Sequence, residues 1–89
     1  MKAIVTVIGP DRVGIIAEVC ALLASFSVNI VDINQTVMQE FFTMTMLVDL
    51  AACTASYGEV STALNAKGEE MGLSIRIQRE DIFQAMHRV

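Results

Sequence analysis

Tryptophan is absent, and the 89 residues include one tyrosine, one proline, one histidine and two cysteines. Each shortage removes a class of function. The single histidine, His87, stands beside Arg88 near the end of the chain. A solvated cation near a helix C-terminus suits that address better than a general base does. Cys20 and Cys53 lie far apart in apolar stretches and read as two buried thiols, neither a disulfide nor a ligand pair, and no spacing of Cys, His, Asp or Glu suggests a metal or other cofactor. Uninterrupted apolar runs are also short of the ~20 residues that a spanning helix needs, so no membrane association is expected and the chain reads as cytoplasmic. Charge is scarce at 18%, and ten acidic against six basic residues leave a net charge of -4, which disfavours phosphate backbones and makes nucleic acid a poor partner.

Apolar residues, by contrast, are abundant at 54%. A chain of this length builds one core and has much surface for its volume, so some of that apolar surface is expected to be covered by a partner. The elements follow from periodicity. Lys2 to Ile8, dense in Ile and Val, predicts a central strand buried on both faces. Gly9-Pro10-Asp11-Arg12-Val13-Gly14 breaks the run, with Asp11 placed to cap the next helix. From Val13 to Ser27 the residues Ile15, Ile16, Val19, Cys20, Leu22, Leu23 and Phe26 recur at helical spacing. Asn29 to Met38 alternates, with Val31, Ile33 and Val37 opposite Asp32, Asn34 and Thr36, and predicts a half-buried antiparallel strand.

Phe41 to Asp49 alternates again after the short Gln39-Glu40 connection, which makes the pair a hairpin. Ser56 with Glu59 is a capping-box signature, and the helix it opens ends at Gly72. Leu73 to Gln78 alternates as a fourth strand. Ile82, Phe83 and Met86 then give residues 80–89 the pattern of a short amphipathic C-terminal helix, able to cover a sheet edge or dock a protein partner.

The order βαββαβ implies an α+β, ferredoxin-like sandwich of two helices on a four-stranded antiparallel sheet, one domain over residues 1–89 with its core in 1–79. Several functions of that fold are disfavoured by particular residues. Gly9 and Gly14 have the spacing of a phosphate loop, but Ile15 and Ile16 stand where Lys and Ser or Thr are required. Arg12 and Asn34 have nothing to organise them as the arginine and amide of a small phosphatase. The first loop has no paired cysteines for copper, and the first strand has no aromatic for stacking RNA bases.

The run Ile8-Gly9-Pro10-Asp11-Arg12-Val13-Gly14-Ile15-Ile16-Ala17, followed by a helix and Val28-Asn29-Ile30, resembles the opening half of an ACT domain. It is most similar to the short microbial proteins that consist of one such domain. The resemblance implies a homodimeric regulatory protein, not an enzyme, whose small-molecule effector, commonly an amino acid, binds between subunits. It places that effector between the first loop of one chain, at Asp11, Val13, Gly14 and Ile15, and the second strand of its partner, at Asn29, Ile30 and Val31. Gly9 departs from members that carry a polar ligand contact there. A protein-interaction subunit with an empty pocket is the alternative.

Three of these positions have two readings each. Gly14 either admits a ligand close to backbone amides or permits tight helix-to-strand packing. Asn29 either recognises an amine or carboxylate or ends the helix in a left-handed conformation. Asp11 either caps the helix or attracts an ammonium group.

Overall fold

A computed structural model describes residues 1–10 and 12–80. Asp11 and the 81–89 segment, and with them the expected cap and most of the C-terminal amphipathic helix, lie outside the described residues. The elements are β1 (Lys2–Pro10), α1 (Ile15–Ser25), β2 (Asn29–Met38), β3 (Phe41–Asp49), α2 (Tyr57–Met71) and β4 (Ser74–Arg79). Their order is βαββαβ, as the periodicity implies. The strands form one antiparallel sheet in the order β2-β3-β1-β4.

Local chemistry accounts for most boundaries. Ser56 accepts a hydrogen bond from the Glu59 amide at 3.2 Å and donates its hydroxyl to the Glu59 carboxylate, so α2 starts where the capping pair stands. Gly72 ends α2 in the left-handed conformation, φ 72°, which a residue without Cβ adopts freely. Gln39 takes positive φ, 55°, to close the tight β2–β3 hairpin.

The core lies between the helices and one sheet face. Ala3, Val5 and Val7 of β1, Met44, Met46 and Val48 of β3, and Ile75 of β4 meet Ile15, Val19 and Leu23 of α1 and Val60 and Leu64 of α2. Tyr57 donates its hydroxyl to the Ile77 carbonyl at 2.8 Å and ties the start of α2 to β4.

Three expectations need correction. β1 is central, but only its helix-side face is buried; Ile8 is 47% exposed on the other. α1 begins two residues later than its apolar pattern, because Val13-Gly14 forms a turn and Gly14, not Asp11, takes the N-cap position. β2 is not half-buried: only Ile30 is partly covered and the rest of the strand is exposed on both faces. The reason is topological. β2 is an edge strand, and a bulge between Ile30 and Asp32 steps Val31 out of the ladder.

Candidate functional site

Gly14 has φ 93° and its carbonyl accepts the first α1 hydrogen bond, from the Glu18 amide at 2.9 Å. A Cβ at Gly14 would meet no atom within 4 Å, so tight packing is not what this glycine provides. It provides the left-handed turn that aims the first N–H groups of α1 outward. Those groups have no intrahelical acceptor, and the N-cap residue, a glycine, has no side chain to cap them. Arg12 supplies the second feature. Its Nη1 donates to the Met71 carbonyl at 3.3 Å, which fastens the first loop to the C-terminus of α2 and directs a guanidinium to the same end of the sheet.

These groups border an open groove of about 520 Å3. Arg12 and Gly14 form its loop side and the first turn of α1, Ile15 to Ala17, its wall. Gln35 and Val37 of β2 face the helix layer across from them, and Phe42 of β3 is the floor. The apolar floor, the cationic rim and the outward-facing amides suit a small anionic or zwitterionic molecule better than a purely apolar one.

Of the residues expected at a ligand site, Gly14 and Ile15 border this groove. Ile15 contributes backbone, because its side chain is in the core. Val13 is 97% exposed in the loop, outside the groove lining. Asn29, Ile30 and Val31 lie at the opposite end of the sheet: Asn29 pairs with Asp49, which pairs with Lys2, whereas the groove is beside Pro10, Phe41 and Met38. One chain therefore does not bring the two halves together. Asn29 is also not the left-handed residue after α1. Ser27 is, with φ 59°, and Asn29 opens β2 in an extended conformation.

Arg12, Ile16, Ala17, Gln35, Val37 and Phe42 were not among the sequence candidates. Gln35 carried a signal: it is the polar residue in phase with Ile33 and Val37. Gly9 has a structural explanation, since an added Cβ would collide with the Leu73 side chain folded over it. A polar side chain at that position would require the Leu73 side chain to move.

Both cysteines are free and half-buried against the core, and burial pushes the Cys20 thiol above its ordinary 9.0. Among the described residues no cluster of His, Cys, Asp or Glu is arranged to hold a metal ion, and no helix is long and apolar enough to cross a membrane.

Comparison with known proteins places this geometry in a family. The ACT-domain family model matches residues 2–78. The chain belongs to the ACT-domain family. This is a regulatory, ligand-binding fold, and the full length of the chain has relatives in it. A UPF0237 protein of Clostridium acetobutylicum is 56% identical over 89 residues, covering 100% of both chains. An ACT domain protein from Streptococcus pneumoniae superposes with a TM-score of 0.82 at 39% identity, covering 98% of each chain. The regulatory subunit of aspartate kinase from Thermus thermophilus, in a ligand-free form, matches 86% of this ACT domain and 50% of its own length, with a TM-score of 0.66 and 26% identity.

Proposed function

We propose that this ACT domain is a dimeric, non-catalytic sensor in the cytoplasm that binds a small amino acid, or a similar carboxylate, between two copies. The supporting observation is the position of the two candidate half-sites at opposite ends of β2. Antiparallel pairing of β2 with β2 of a second copy, about a two-fold axis through Asn34 and with the bulged Val31 outside the ladder, sets the partner's Asn29 and Ile30 against Met38 and Val37. That end of β2 borders the groove. Two composite sites result, each with Gly14, Ile15 and Arg12 from one chain and the start of β2, Asn29 to Val31, from the other.

The edge itself supports the pairing. β2 is long, lacks lysine and proline, and exposes Val31, Ile33 and Val37, with Ile16 of α1 alongside. Such an edge invites another strand. In the composite site, Arg12 and the α1 amides would take the carboxylate and the backbone carbonyls at the start of the partner's β2 the ammonium group.

The test is a thermal-shift screen against the twenty amino acids and common metabolite acids. A ligand at a hundredfold excess over its dissociation constant stabilises the folded protein by about 2.7 kcal/mol. The expected result is a selective upward shift, reduced in both Arg12→Ala and Val31→Lys. A shift untouched by Val31→Lys would overturn the composite site, and no shift with any compound would favour an interaction subunit with an empty pocket.

A further inference from the structure

The sheet face turned away from the helices has a pattern that the ligand site does not use. Register fixes its rows: Asp49 beside Lys2; Asp32, Leu47, Ile4 and Gln78; Asn34, Thr45, Thr6 and Arg76; Thr36, Thr43, Ile8 and Ser74; and Met38, Phe41 and Pro10. The middle of the face is uncharged, and at its hairpin end Met38 and Phe41 are 69% and 60% exposed. Among the described residues, the charges on the strands of this face divide by side. The acids Asp32 and Asp49 are on β2 and β3, and the bases Lys2 and Arg76 on β1 and β4. The dividing line runs between β3 and β1, along the middle of the sheet.

We propose that this open face is a second self-association surface, which stacks on the same face of another copy about a two-fold axis parallel to the strands, between β1 and β3. That axis exchanges β3 with β1 and β2 with β4 while keeping each row level. Asp49 then lies over the partner's Lys2, Leu47 over the partner's Ile4, Thr45 over the partner's Thr6 and Asn34 over the partner's Arg76, with Asp32 one row away. A two-fold axis in the sheet plane but across the strands would instead put acid strands over acid strands. Charge complementarity therefore selects the first arrangement. Sheets packed in this aligned manner sit ~10 Å apart at about -30°, a spacing that Ile, Leu and Thr side chains fill. The surface is separate from the β2 edge, and because the two axes do not intersect, both contacts together would extend into an open ribbon of copies.

Sedimentation velocity on the full chain tests this, with Val31→Lys/Val37→Lys as the variant that blocks the β2 edge. That variant is expected to remain a dimer through the open face, and adding Thr45→Glu to it gives a monomer with an unchanged circular dichroism spectrum. In the same background, Asp32→Lys or Arg76→Glu alone weakens association by roughly tenfold or more, and the two together restore it. A monomeric edge-blocked variant, or a double charge swap weaker than either single change, overturns the open-face contact. If instead the edge variant leaves a wild-type dimer unaltered while Thr45→Glu dissociates it, the open face stands and the β2 pairing falls.

Discussion

Gly68 sits on the face of α2 that meets the chain returning into β4. A Cβ there would lie 2.7 Å from the Leu73 carbonyl oxygen and 3.2 Å from the Ile75 amide nitrogen. Backbone on both sides cannot swing away, so Gly68→Ala is expected to destabilise the domain by about 1–3 kcal/mol in urea unfolding. Gly58 is the internal control. In the first turn of the same helix its Cβ would meet only the Ser56 hydroxyl, at 4.0 Å, so Gly58→Ala should be neutral or stabilise by roughly 0.5–1 kcal/mol. Equal effects of the two changes would contradict the close approach at Gly68. Cys20 gives a pH prediction. Its thiol is held above 9.0 by burial, so the folded protein keeps it neutral at pH values where the unfolded chain ionises it. Its contribution to stability is complete below pH 9.0 and declines as pH rises beyond that through the folded value. Cys20→Ala should flatten that alkaline decline, and native alkylation of Cys20 should be slower than in urea at the same pH.

At the scale of elements, the proposed assembly rests on β2. Its alternation is genuine, since Ile33 and Val37 do point to the helix layer, opposite Met46 and Phe42 of β3. What alternation does not reveal is whether anything lies above that face. Among the described residues no helix covers β2, and in the proposed assembly its apolar positions meet a second copy. Val37→Lys is therefore expected to shift sedimentation toward smaller species without lowering the helical signal, because Val37 is 52% exposed and contributes little to the core of one chain. Loss of secondary structure in that variant would show that β2 stabilises the single chain after all. The contrast with α2 is instructive. Its ends were legible from Ser56, Glu59 and Gly72 because capping is a local interaction, complete within one turn.

For the whole molecule, a ligand shared by two chains links binding to association. The compound that raises thermal stability should also raise the association constant at the β2 edge, by the factor by which association raises its affinity. Sedimentation with and without that compound checks this, and an unchanged association constant would place the ligand within one chain. The element order, the hairpin, the α2 caps and the helix-side face of β3 were readable from the residues alone, because period and capping depend on neighbours within a few positions. Gly14 was singled out for a helix-start site, but its left-handed φ and open surroundings became visible only in three dimensions. The exposure of β2, the Leu73 side chain over Gly9, the Arg12 bond to Met71 and the placement of Gln35 opposite α1 needed the tertiary structure. Each depends on residues brought together by the order of strands in the sheet, a relation that no local pattern in the chain encodes.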